Sequence, residues 1–202
     1  MAVKIKICGV TRPGDARLAV ELGADLIGLN FYPPSPRCIS LDQACAIARE
    51  IKGRALLVGV FVNAARAYIE DRRTVAGLDM LQFHGDEDDA AITGWPLPVI
   101  RTVRVNAARP AAIANSRADF ILFDTWHPEL FGGTGRTRPL GGLAGVDLSR
   151  VFISGGLAPS NVGAAVALGP YAVDVASGVE AVPGIKDAAK LRSFVLNAKS
   201  AR

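Results

Sequence analysis

Short apolar, β-branched runs recur along the chain at 3–8 (VKIKIC), 25–31 (DLIGLNF), 55–62 (ALLVGVFV), 80–85 (MLQFHG), 98–105 (PVIRTVRV), 119–124 (DFILFD), 151–156 (VFISGG) and 172–177 (AVDVAS). Each has the length and residue content of a strand. Between them lie segments of helical character at 14–23, 41–51, 63–78, 159–169 and 186–199. Strand followed by helix, repeated throughout, implies an α/β fold. Several runs are apolar on both faces, as a helix-covered parallel sheet requires. Eight units in 202 residues leave about 25 residues for each, which suits a minimal (β/α)8 barrel. A doubly wound open sheet is the alternative, but it usually shows about five to seven strands and a nucleotide-type glycine loop after the first. The expectation is a single-domain (β/α)8 TIM barrel over residues 1–202, with eight parallel strands in a closed sheet.

In such a barrel the chemistry collects where strands end, because the following loops open onto one face. Cys8-Gly9 follows the first run, Arg37 the second and Asn63 the third, with Gln82 and His84 at the fourth. Arg104 and Asn106 come at the fifth, Asp124 at the sixth, Gly155-Gly156 after the seventh and Ser177-Gly178 after the eighth.

Strand residues two apart share a face, so Lys4, Lys6 and Cys8 point away from Val3, Ile5 and Ile7. If the apolar set faces the helices, Lys6 and Cys8 are inside and Cys8 is at the mouth. Cys8 is then either a small core filler or a reactive group. Asp124, on the face of Phe120 and Leu122, is either a helix or turn cap or a catalytic carboxylate. The glycines of the following TWHPELFGGTGRTRP suit a lid more than a helix start. The glycine turns after strands seven and eight together suggest a phosphate site. Arg37, in the stiff PPSPR loop, is either a surface arginine or a clamp for a planar carboxylate. His84 reads as catalytic or as a hydrogen-bonded barrel residue.

Composition narrows this picture. The chain has 23 Lys and Arg against 19 Asp and Glu, a net charge of +4, without a basic run. That speaks against a nucleic-acid arm and fits attraction of a small anion. Three cysteines, Cys8, Cys38 and Cys45, show neither disulfide nor zinc spacing, so no metal is expected and a reducing cytoplasm is. Lys4 and Lys6 interrupt any export signal. The uncharged stretch 151–173 carries Gly155-Gly156, Pro159 and Pro170, so no membrane span is expected.

Together KIKICGVT, FYPPSPRCIS, VGVFVN, LQFHGDE, DTWHPELFGGTG, FISGGLAPSNV and VDVASGVE-x3-GIKD resemble, in order and over nearly the whole chain, the phosphoribosylanthranilate isomerases of tryptophan biosynthesis. The resemblance implies a cofactor-free Amadori rearrangement of N-(5-phosphoribosyl)anthranilate to 1-(2-carboxyphenylamino)-1-deoxyribulose 5-phosphate. It makes Cys8 the general base at C2 of the sugar and Asp124 the general acid at the ring oxygen. Arg37 would bind the anthranilate carboxylate. Gln82, His84 and Asp174 would join the substrate-binding lining, and Gly155, Gly156, Ser177 and Gly178 would hold the phosphate.

These roles predict a Cys8 thiol pKa below the usual ~8.5 and a raised Asp124 pKa. In a closed barrel Lys6 and Asp174 would form an ion pair one layer below Cys8. The partner is a phosphorylated small molecule, and the assembly a monomer or homodimer. After GGTG the chain departs from the family pattern with RTRPLGGLAG. Other sugar-phosphate barrels fit less well, because there is no internal two-fold repeat and Lys4 and Lys6 lie below the mouth. A barrel that binds phosphate ligands without catalysis is the alternative of another class.

Overall fold

The computed structural model describes residues 2–51, 53–104, 116–124 and 147–201. Eight parallel strands close into a barrel. They are β1 (Lys4–Ile7), β2 (Leu26–Asn30), β3 (Leu56–Phe61), β4 (Met80–Phe83), β5 (Val99–Arg104), β6 (Phe120–Asp124), β7 (Val151–Ser154) and β8 (Ala172–Val175). Among the described residues the α-helices are α1 (Pro13–Leu22), α2 (Leu41–Ile51), α3 (Arg66–Ala76), α4 (Asp89–Ile92), α5 (Val162–Val166) and α6 (Ala188–Ser200). A small antiparallel hairpin, β9 (Glu180–Val182) with β10 (Ile185–Lys186), follows β8. Asn106 and the glycine-rich segment from 125 to 146 lie outside the described residues.

The strand expectations hold to within a residue or two, because the strands are buried on both faces and their apolar runs mark that burial. Helices differ more. The 159–169 segment is helical only over Val162–Val166. Ahead of it, the Asn161 side chain accepts from the Ala158 N–H and donates to the Gly156 carbonyl, holding that stretch as a turn. The 63–78 segment shortens to α3, since Asn63 adopts a left-handed φ of 47° and Gly77 ends the helix at φ 64°. Ser40 and Gln43 exchange side-chain and backbone bonds at the start of α2, a capping box.

Two cores result. One lies between sheet and helices, with Ile5, Ile7, Ile27 and Leu29 meeting Ala44, Ile47, Leu191 and Phe194. The other fills the barrel with Leu26, Val58, Met80, Ile100, Leu122, Phe152 and Ala172. One from each strand from β2 to β8, they make a packed plug, so what stands above it faces the C-terminal mouth.

Beneath the plug, a carboxylate stands before three of the four even-numbered strands. Asp25, Asp79 and Asp119, immediately ahead of β2, β4 and β6, accept the N–H groups of Ile5, Leu57 and Val99 at 2.9, 2.8 and 2.8 Å. Each aspartate satisfies a donor of the preceding strand that begins outside the ladder. Lys4, on the inward parity, reaches this rim and pairs with Asp25 at 3.0 Å, half exposed.

Candidate active site

Closure sets β1 beside β8 with Lys6 opposite Asp174. The buried Lys6 ammonium donates to Asp174 Oδ1 at 2.7 Å, and Ser154 Oγ donates to Asp174 Oδ2 at 2.9 Å. Burial disfavours the Lys6 charge, but Asp174 and then Cys8 outweigh it, so its pKa is raised and it stays an ammonium. The expected pair therefore exists.

Two residues further up, Cys8 opens to a cavity of about 480 Å³ at the mouth. Gly28 on β2 makes the space: a Cβ there would stand 2.8 Å from Cys8 Sγ and 3.2 Å from Lys6 Nζ. Burial pushes the Cys8 thiol up, Lys6 pulls it down, Asp174 pushes it up again, and the net shift is upward. That corrects the expectation of a depressed thiol pKa. The nearby ammonium is present, but loss of water around sulfur is the larger effect.

The turn after β1 answers a second demand. Gly9 has φ 67°, and a Cβ on it would meet Arg37 Cδ at 2.5 Å. Glycine there lets the arginine stem cross the end of β1. Arg37 lines the cavity, while its Nε and Nη2 donate to Glu180 at 2.9 and 2.6 Å.

Across the mouth, Asp124 Oδ2 stands 3.6 Å from His84 Nε2. Gln82 Nε2 donates to His84 Nδ1 at 3.0 Å, and Thr102 Oγ1 lies 3.2 Å from the same nitrogen. Gln82 Nε2 can only donate, so Nδ1 is the accepting nitrogen and Nε2 faces Asp124. Gln82 is buried, and its Oε1 has no hydrogen-bond partner among the described residues.

Cys8, Arg37, Gln82, His84, Asp124, Gly155, Gly156, Asp174 and Ser177 all border this one cavity. Gly155 and Gly156 turn at φ 85° and 64°. Gly178 is not in the lining. It seats the β8 turn against the β7 turn, where a Cβ would collide with the Leu157 carbonyl. Asn63 is also elsewhere: its side chain accepts from the Asp86 N–H, a loop-to-loop brace. The side chain of Arg104 is not among those described.

Sequence reasoning missed Glu180 and Lys186 as parts of the site. Both are buried, and Lys186 Nζ donates to the Cys8 carbonyl at 2.6 Å, the Ala176 carbonyl at 3.1 Å and Glu180 at 3.0 Å. The only signal was their presence in VDVASGVE-x3-GIKD. Asn30, Tyr32, Ser35 and Ser154 also line the cavity without having been picked out. Among the described residues no cluster could hold a metal ion and no helix is long and apolar enough to cross a membrane.

Comparison with known proteins bears on this geometry. The family PRAI, N-(5'phosphoribosyl)anthranilate (PRA) isomerase, matches residues 5–197. The N-(5'-phosphoribosyl)anthranilate isomerase of Myxococcus xanthus is 45% identical, covering 99% of this chain and 98% of that protein. The crystal structure of the Thermus thermophilus phosphoribosyl anthranilate isomerase superposes with TM-score 0.86 at 36% identity, covering 99% and 100% of the two chains. A phosphoribosyl anthranilate isomerase solved with reduced 1-(o-carboxyphenylamino)-1-deoxyribulose 5-phosphate gives TM-score 0.84 at 36% identity over 98% and 99%.

Proposed function

The chain belongs to the N-(5'-phosphoribosyl)anthranilate isomerase family and catalyses its rearrangement in tryptophan biosynthesis, and from that premise we propose how its own residues divide the work. Asp124 donates a proton to the ring oxygen as the C1–O bond breaks and the nitrogen lone pair forms the C1–N double bond. The Cys8 thiolate then takes the C2 proton, leaving an enolamine. Ketonisation adds a proton at C1 and removes one from the C2 hydroxyl, and solvent returns the proton surplus on Cys8 to Asp124. No cofactor enters and no proton is lost overall.

The observation that carries this reading is that Cys8 and Asp124 border the same cavity as Arg37 and the Gly155-Gly156 turn. A base and an acid then flank a sugar held between a carboxylate clamp and a phosphate turn. Lys6 supports the thiolate at the moment it forms, which a buried thiol otherwise resists. The unpartnered Gln82 Oε1 is the acceptor for a sugar hydroxyl, because a buried carbonyl left unpaired is costly. The Ser177 turn joins Gly155 and Gly156 around the phosphate. Unpaired Cys8, Cys38 and Cys45 support a reducing compartment, the cytoplasm.

Freshly generated phosphoribosylanthranilate, followed by loss of its fluorescence in single turnover, tests the roles. Cys8→Ala and Asp124→Ala each fall by about two orders of magnitude or more while still binding a product analogue. A variant that turns over at the wild-type rate removes that residue from the mechanism.

A further inference from the structure

Arg37 is held by a residue 143 positions away. Its Nε and Nη2 donate to the two oxygens of Glu180, on the hairpin after β8. Glu180 Oε1 also accepts from Lys186 Nζ at 3.0 Å and from the Gly184 N–H at 3.2 Å. Burial pushes the Glu180 carboxyl up, but the bond from Arg37 and the charge of Lys186 outweigh it, so its pKa is lowered and it is ionised. Two cations around one carboxylate leave one net positive charge.

A guanidinium carries five N–H bonds in a rigid fork. Glu180 takes the Nε edge. The opposite edge, formed by Nη1 and the outer N–H of Nη2, still offers two parallel donors, the arrangement a second carboxylate needs. Arg37 borders the cavity and Glu180 does not.

We propose that Glu180 is a positioning residue for substrate specificity: it presents the free edge of Arg37 to the aryl carboxylate, while Lys186 neutralises Glu180 so that the arginine charge remains for the substrate. The proposal rests on the reading of Arg37 as the carboxylate site. A long side chain fixed before binding loses little freedom when the ligand arrives, so the gain falls on binding of the carboxylated substrate alone. Lys186 also grips the Cys8 and Ala176 carbonyls, so the clamp and the end of β1 are built on one network.

The test compares kcat/KM for N-(5-phosphoribosyl)anthranilate with that for N-(5-phosphoribosyl)aniline, which lacks only the carboxylate. Wild type, Arg37→Ala, Glu180→Gln and Glu180→Asp are assayed. Arg37→Ala abolishes the preference for the carboxylated substrate. Glu180→Gln reduces it about tenfold, through KM more than kcat, because an amide N–H₂ now faces the arginine donors. Glu180→Asp, which keeps the charge on a shorter stem, gives a smaller loss and stands in if Glu180→Gln does not fold.

If Arg37→Ala abolishes the preference and neither Glu180 variant changes it, Glu180 is merely structural and the proposal is overturned. If Arg37→Ala itself keeps the wild-type preference, the carboxylate site is elsewhere and both readings fall.

Discussion

The two ends of the barrel use acidic residues in opposite ways. At the N-terminal end Asp25, Asp79 and Asp119 each give an oxygen to a backbone N–H of the neighbouring strand, and Asp25 gives its other to Lys4. At the C-terminal end Asp124, Asp174 and Glu180 face side chains, namely His84, Lys6 and Arg37. A carboxylate bonded to backbone has a fixed partner and serves the sheet. One paired with a side chain instead positions the groups that line the cavity. The plug of Leu26, Val58, Met80, Ile100, Leu122, Phe152 and Ala172 separates the two ends, which lets one be altered without the other.

The strongest challenge to that division is Lys6→Met, because Lys6, at the cavity end, carries a buried ion pair as well as a charge beside Cys8. Removing it strands Asp174 in the interior, and denaturant melts should register a loss of about 3–5 kcal/mol. The same change takes away the charge that pulls the Cys8 thiol down and leaves the one that pushes it up, so thiol titration moves to higher pH. Asp174→Asn moves it to lower pH, since the carboxylate that disfavours the thiolate is gone. Identical titration in wild type and both variants would leave Lys6 with a purely structural part.

Asp25→Ala sharpens the comparison from the other end. It deprives the Ile5 N–H of its acceptor and Lys4 of its partner, and should cost about 1–2 kcal/mol in unfolding, with kcat/KM per folded molecule unchanged. A fall in kcat/KM would mean that the ends are coupled through the plug. Lys4→Ala should cost below about 1 kcal/mol, because its pair with Asp25 is half exposed. A larger loss in the same melts would show that this rim depends on the pair more than on the backbone bonds.

The barrel was legible because each strand is its own short run apolar on both faces and each helix carries its own spacing. Cys8, Asp124 and Arg37 were legible because position at a strand end, or in a stiff loop, is also local. The Asp-capped rim was written in ADL, LDM and ADF ahead of β2, β4 and β6, yet it has meaning only once the neighbouring strand's free N–H is known.

Glu180 and Lys186 were hidden for a stronger reason. In sequence they are a glutamate and a lysine of ordinary look, and their burial is made tolerable by Arg37 from the other side of the chain. The β9–β10 hairpin that carries them falls in a stretch too short for a periodic signal. The Cys8 thiol defeated expectation for a related reason: sequence revealed the nearby lysine but not how far water is excluded.

The most direct test of the account is the pH dependence of Cys8 alkylation by iodoacetamide, with the labelled residue identified by mass and activity followed in the same samples. Activity should vanish in step with labelling of Cys8 rather than Cys38 or Cys45. The labelling rate should rise with pH through a midpoint above the ~8.5 of an ordinary thiol. Full activity in enzyme wholly labelled at Cys8 would contradict the account.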